Sequence, residues 1–211
     1  MIYHELNGDK NFIHNKNELK KVYDVIANDI DHTNGTIKNN GYIFNNFSGD
    51  ITKNIKWTWC INKQSFELFN KCVENLNDVI NTNFNDNFTL FGCSFITLFE
   101  KEVSETHFHL DANSQYDTKD SSSILTLIFP LYISDGMGGL EFQYNNKVNV
   151  YNYNENKLFV WDACKLNHRT QPYSLPTKTR RVLVSLNYVN DNEWAKRSIY
   201  NTLKCQGNKT F

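Results

Sequence analysis

The stretch Thr106-His107-Phe108-His109-Leu110-Asp111 places imidazole and carboxylate groups at alternate positions. In extended backbone, residues i and i+2 project from one face. His109 and Asp111 can therefore grip one metal ion from the same side, and His107 lies along that face as a competitor. A third ligand must come from elsewhere. The 211-residue chain has six histidines, and His4, His14 and His32 lie near its start. The sixth, His168, stands 57 residues beyond Asp111, inside Leu166-Asn167-His168-Arg169-Thr170. A His-x-Asp pair with one distant His is a two-histidine, one-carboxylate facial triad. It covers one face of an octahedral ion such as Fe(II) and leaves three positions open for co-substrates.

The next chemistry-bearing residues are cationic. Arg180 and Arg181 follow His168 by 12 and 13 residues, at the start of the apolar run 181–189. A guanidinium just beyond the distal His suits a co-substrate with two ends, one chelating the metal and the other a carboxylate. 2-Oxoglutarate has both. In a strand, Arg181 shares a face with Leu183, Ser185 and Asn187, and Arg180 with Val182, Val184, Leu186 and Tyr188. The apolar face is expected to pack on helices. That turns Arg181 inward and leaves Arg180 reaching past the helices to solvent. A β-bulge between 180 and 182 would reverse the choice.

These residues need a scaffold. Over 17–30, Leu19, Val22, Tyr23, Val25 and Ile26 recur at helical spacing. Over 65–80, Phe66, Phe69, Cys72, Val73, Leu76 and Ile80 form one stripe that Ser65 can cap. Residues 55–61 read as a strand, and Asn34-Gly35 and Asn40-Gly41 are turn signals. From residue 91 the pattern becomes β, with runs at 91–99, 124–133, 139–144, 147–151, 157–161, 166–173 and 181–189. A short helix is expected over 193–204. Helices first and strands afterwards, with no βαβ alternation, predict a mainly β fold with flanking helices. The expected form is a double-stranded β-helix (jelly roll), with the helices outside one of two facing sheets. One domain over 1–211 is expected, with helices and a strand in 1–90 packing on a core at 91–190 and a tail at 191–211. The polar segment 112–123 directly follows the metal-binding stretch. It is a candidate lid carrying Tyr116.

Composition narrows the classes. The net charge is −1 and the pI about 6.6, so no global field draws the chain to nucleic acid or an anionic membrane. Aromatic content of 14% supplies a packed interior despite a mean hydropathy of −0.57. Much of that polarity is asparagine, as in the alternation Asn81, Asn83, Asn85, Asn87. The five cysteines are scattered and form no CxxC pair, which argues against a disulfide framework or a zinc site and for a reducing compartment. No apolar leader and no membrane-length run is visible, so a cytoplasmic location is expected.

Taken in order, His-x-Asp, strand, Gly-Gly, strand, distal His and Arg resemble the Fe(II)/2-oxoglutarate-dependent dioxygenase superfamily over roughly 91–190. Thr126 to Tyr132 followed by Gly138-Gly139-Leu140-Glu141-Phe142 is similar to the prolyl hydroxylase-like branch. Trp161-Asp162-Ala163, His168-Arg169-Thr170 and Arg180-Arg181-Val182-Leu183-Val184 also resemble the phytanoyl-CoA hydroxylase-like branch. The resemblance implies Fe(II) on His109, Asp111 and His168, with Arg181 holding the distal carboxylate of 2-oxoglutarate. Thr126 and Thr170 are further candidates for the cofactor pocket. It implies a hydroxylase using dioxygen and 2-oxoglutarate on a protein side chain, proline first, or on a small molecule. Collagen-type prolyl enzymes carry Lys where Arg stands here, which points away from that type. Two other classes share the scaffold: an inactive binding module, and a cupin-type metal protein with His107 as a fourth ligand.

Overall fold

Helix α1 (Lys10–His32) is longer than its apolar periodicity indicates, because Asp9 caps it. The Asp9 carboxylate accepts from the Phe12 N–H at 2.7 Å, satisfying one of the donors every helix start leaves free. Its buried stripe is Phe12, Leu19, Tyr23, Ile26 and Ile30. The computed structural model describes residues 2–48, 55–104, 106–112, 123–177 and 179–205.

The expected helix over 65–80 is two helices. α2 (Lys63–Val73) begins at an Asn62–Ser65 capping box, so Asn62 rather than Ser65 is the cap. A 3₁₀ turn (Glu74–Leu76) separates α2 from α3 (Asn77–Phe84). The break falls where Asn75, Asn77 and Asp78 cluster, whose short polar side chains compete for backbone hydrogen bonds. The apolar stripe survives it: Phe69, Cys72, Val73, Leu76 and Ile80 are all buried in one cluster.

The strands are β1 (Tyr3–Asn7), β2 (Gly35–Asn39), β3 (Tyr42–Phe47), β4 (Ile55–Cys60), β5 (Thr89–Leu98), β6 (Glu102–Val103), β7 (Ile124–Tyr132), β8 (Leu140–Tyr144), β9 (Lys147–Tyr151), β10 (Lys157–Asp162), β11 (His168–Thr170), β12 (Tyr173–Ser174) and β13 (Arg181–Val189). Eight of them form one antiparallel sheet in the order β1-β10-β7-β13-β5-β4-β3-β2. A smaller sheet, β11-β8-β9, faces it, and β12 pairs with β6. This is the jelly roll the pattern predicts. The first ninety residues contribute four strands to its larger sheet: β4 is the strand expected over 55–61, and β1, β2 and β3 were not expected. The expected strand over 166–173 is divided between β11 and β12, with Gln171 and Pro172 between them. Proline has no N–H to continue a ladder.

The large sheet buries both faces. Val182, Val184, Leu186 and Tyr188 of β13 join α1 and α2 in the main cluster, so the helices do lie outside one sheet. The other face meets the small sheet through Ile128, Phe159, Trp161, Leu140, Phe142 and Tyr151. Helix α4 (Glu193–Cys205) closes the described chain. No helix among the described residues is long and apolar enough to cross a membrane.

Phe95 on β5 is the hub of the helix-side core. It is fully buried and its ring lies 4.8 Å from Phe69, 5.2 Å from Tyr23 and 5.9 Å from Phe44. Phe95→Ala should cost about 3–5 kcal/mol of stability. Urea unfolding followed by tryptophan fluorescence measures it, and a cost below about 1 kcal/mol would contradict this packing.

Candidate active site

Residues 106–112 do not form the continuous strand expected. Only His109 makes a β-bridge, and its partner is His168. The His109 N–H donates to the His168 carbonyl and the His168 N–H to the His109 carbonyl, each at 3.0 Å. Directly opposed residues in such a pair project to the same face. The two imidazoles accordingly stand 4.6 Å apart, centroid to centroid. Asp111 follows at a bend, and its Oδ1 lies 3.5 Å from His168 Nε2 and 3.9 Å from His109 Nε2. The three ligand atoms all fall within 4.8 Å of one another, so one ion can sit among them.

Local hydrogen bonds aim each ligand. His109 Nδ1 donates to the His107 carbonyl at 3.0 Å, and His168 Nδ1 to the Leu166 carbonyl at 3.0 Å. Fixing Nδ1–H in this way leaves both Nε2 lone pairs free for a metal. Thr126 Oγ1 donates to Asp111 Oδ2 at 2.7 Å, leaving Oδ1 toward the imidazoles. Trp161 packs edge-on against His168 at 4.9 Å. The cluster is shielded on one side only: the His168 side chain is 6% exposed and that of His109 58%. His107 is exposed and stands outside the cluster, which among the described residues has three ligands.

Arg181 and Arg180 part as the strand faces predict. Arg181 is 4% exposed, and its Nη2 donates to Thr170 Oγ1 at 3.1 Å. Its Nη1 is buried with no hydrogen-bond partner. Arg180 turns to the helix side, but it does not run on to solvent as expected. It pairs with Asp31 of α1, with its guanidinium 5.9 Å from the Tyr23 ring. Thr170 lies two residues from His168 on β11, so a pleat of about 7 Å separates the metal level from the guanidinium level. That spacing suits a short dicarboxylate. The buried, unpartnered Arg181 nitrogen is the feature an incoming carboxylate would satisfy.

Thr126, a candidate for the cofactor pocket from the sequence, lies under Asp111 and donates to its carboxylate. Trp161 and Tyr153 were not singled out as site residues. Tyr153 has its ring centroid 5.8 Å from the Arg181 guanidinium. Neither had a spacing signal, because each reaches the site across strands. The candidate lid, with Tyr116 at its centre, lies outside the described residues apart from its ends, Ala112 and Ser123.

No protein-family model matches the chain, and no curated protein sequence matches it. Solved structures do. A prolyl hydroxylase from Trichoplax adhaerens, in complex with a peptide of hypoxia-inducible factor, aligns at a TM-score of 0.59 and 18% identity, over 93% of this chain and 87% of that one. A prolyl-4-hydroxylase from Pseudomonas putida aligns at 0.57 and 11%, over 90% and 93%. HygX from Streptomyces hygroscopicus, solved with nickel and 2-oxoglutarate, aligns at 0.55 and 9%, over 90% and 83%. The jelly roll of this chain is the fold shared by these 2-oxoglutarate oxygenases.

If the cluster binds a metal, Asp111→Ala should abolish most of the affinity for Co(II) or Mn(II) while the fold survives. Thr126→Val should weaken it about 10–100-fold, since it frees the carboxylate from its orienting hydrogen bond. Co(II) titration followed by visible absorbance tests both, and wild-type affinity in the Asp111 variant would remove Asp111 from the site.

Proposed function

We propose that the chain is an Fe(II)- and 2-oxoglutarate-dependent dioxygenase acting as a hydroxylase. The observation that carries this is the His109–Asp111–His168 cluster with the unpartnered Arg181 nitrogen one pleat away. His109, Asp111 and His168 are assigned to the metal. Arg181, with Thr170 supporting its guanidinium, is assigned to the distal carboxylate of 2-oxoglutarate. Bound there, the iron and 2-oxoglutarate supply the oxidising chemistry with dioxygen, and succinate and CO2 are the by-products.

The protein's own part is positioning. The two Nδ1–H groups hold both imidazoles in the tautomer a metal needs, and Thr126 fixes the carboxylate. Trp161 and the apolar layer of Phe142, Phe159 and Leu166 keep water from the buried side of His168. The exposed side of His109 leaves room for a substrate.

A protein side chain is the first substrate class, with proline first within it. The fold likeness to prolyl hydroxylases supports this, one of them solved with a peptide. The Gly138-Gly139-Leu140-Glu141-Phe142 resemblance supports it as well. A small molecule is the next class to screen. Nucleic acid has no support from a net charge of −1.

With Fe(II), 2-oxoglutarate and dioxygen, the protein should form succinate, and a peptide and small-molecule panel should raise that rate for its substrate. Arg181→Ala should raise the KM for 2-oxoglutarate tenfold or more, through loss of a charge-assisted interaction of about 1.5–3 kcal/mol. Arg180→Ala should change it little. Absence of succinate from the metal-loaded wild type would refute the reading, and the reverse ranking of the arginines would refute the assignment of Arg181.

A further inference from the structure

The stretch that carries His109 and Asp111 has one bonded edge and one open edge. In an antiparallel pair the N–H and C=O of successive residues point alternately toward the partner and away from it. His109 uses both of its groups on His168 of β11. Phe108 and Leu110 therefore direct theirs away from β11, and among the described residues those four groups have no hydrogen-bond partner. The open edge has defined ends. On one side the Thr106 carbonyl is taken by Arg169 Nη1 at 3.3 Å, and on the other the chain bends at Asp111. Between them lies a ladder site of Phe108, His109 and Leu110, centred on a candidate metal ligand.

This edge meets solvent. The His109 side chain is 58% exposed and Leu110 38% exposed. Phe108 is half-buried, and the Arg169 guanidinium covers its ring. The small sheet is antiparallel throughout, β9 with β8 and β8 with β11. An antiparallel segment added at the open edge would extend it by one strand. The added residue opposite His109 would stand about 4.5 Å from it, Cα to Cα, as a non-hydrogen-bonded pair. Its side chain would project to the same face as the His109 imidazole, and that face holds the candidate metal cluster.

The register also decides which residues fit. The N–H of the central residue points away from the edge, so proline stands there without losing a ladder bond. Its two neighbours must each donate an N–H, to the Phe108 and Leu110 carbonyls, and neither can be proline. The neighbour opposite Leu110 meets that exposed side chain, which favours an apolar residue. We infer that an extended peptide substrate adds as a short antiparallel strand along Phe108–Leu110, with its target residue opposite His109. The inference rests on the function proposed above and names the substrate class: a peptide whose target residue, proline first, is flanked by residues that carry a backbone N–H. Recognition is through the main chain, with side-chain selection concentrated at the residue facing Leu110.

The test is calorimetric and alters the backbone of the peptide. Protein loaded with Mn(II) and 2-oxoglutarate under argon is titrated with acetyl-Ala-Ala-Leu-Pro-Leu-Ala-Ala-amide, which should bind saturably. N-methylation of both leucines removes the two N–H groups assigned to the edge and should weaken binding about tenfold or more. N-methylation of the two alanines adjoining the leucines removes N–H groups that point away from the edge, and should change affinity by less than about twofold. Equal weakening by the two patterns, no weakening by leucine methylation, or no binding of the unmodified peptide overturns the inference. Succinate formation by the metal-loaded protein with 2-oxoglutarate and dioxygen alone keeps the two readings apart. Its presence beside any of those results leaves the function standing, and its absence overturns the function.

Discussion

The pair of backbone hydrogen bonds between His109 and His168 is the constraint on which the candidate site depends. Residues 106–112 belong to no sheet by themselves, and this bridge is their one ladder contact. It sets two imidazoles from distant parts of the chain side by side without using their side chains. The surrounding contacts reinforce the same junction. Thr106 Oγ1 donates to the Thr170 carbonyl at 2.6 Å, Arg169 Nη1 donates to the Thr106 carbonyl at 3.3 Å, and the Arg169 guanidinium covers Phe108 at 4.5 Å. Arg169 is itself held by Glu141 at 2.7 Å. Neighbours on β11 therefore divide the work by face, with His168 and Thr170 turned inward and Arg169 clamping the outside. The small sheet that carries β11 depends in turn on glycine. A Cβ on Gly139 would come within 2.2 Å of the Tyr151 carbonyl, and one on Gly138 within 2.8 Å of the Gln171 carbonyl. Gly138 also has φ +71, so the Gly-Gly pair is required both for the turn and for close approach.

The large sheet separates structure from chemistry by its two faces. On the helix side β13 presents Val182, Val184, Leu186 and Tyr188 to a continuous apolar core. On the concave side it presents Arg181, Ser185 and Asn187. Several buried polar atoms on that side have no hydrogen-bond partner: Arg181 Nη1, Asn187 Oδ1, Ser94 Oγ, Trp59 Nε1 and Trp161 Nε1. The register makes them neighbours, since Asn187 opposes Thr126, Thr126 opposes Trp161, and Ser94 opposes both Ser185 and Trp59. Each such atom costs about 1–3 kcal/mol when buried alone. The concave face gathers these five in register, whereas His4 Nε2 beside Phe84 and Asp31 Oδ1 on α1 lie on the helix side; a polar cluster of this kind suits a site for polar ligands.

How much of this was legible follows from the range of each signal. The His-x-Asp spacing, the distal His168 and the two faces of β13 are properties of short sequence windows, and they survive in the structure. Alternation alone sent Arg181 inward and Arg180 outward, although it could not show that Asp31 of α1 would intercept Arg180. Helix ends were misplaced because capping is decided by single residues outside the apolar stripe, Asp9 and Asn62. Strands β1, β2 and β3 escaped notice because they are short and their polar positions mask the alternation. The Thr126–Asp111 hydrogen bond and the Tyr153–Arg181 contact join elements that only the closed barrel brings together. No spacing rule reaches them.

One irregularity connects the sheet to both ends of the candidate site. Against β7, the register of β13 slips between Val182 and Leu183, where Val182 faces Tyr132 and Leu183 faces Pro130. Leu131 is thus an extra residue in β7, and Pro130 explains why, having no N–H to offer a central ladder. Against β5 the register slips again between Asn187 and Tyr188, which face Gly92 and Leu90, so Phe91 is extra there. The first bulge lies beside Arg181 and the second beside Asn187, next to the Thr126 that orients Asp111. A bulge adds twist and bends its strand. The two strands flanking β13 therefore bend at opposite ends of it, while β13 keeps an unbroken alternation. That alternation holds the guanidinium on the same concave face as the residues under the metal cluster. A single insertion or deletion within β13 would move Arg181 to the helix face and leave the barrel intact but without its buried cation.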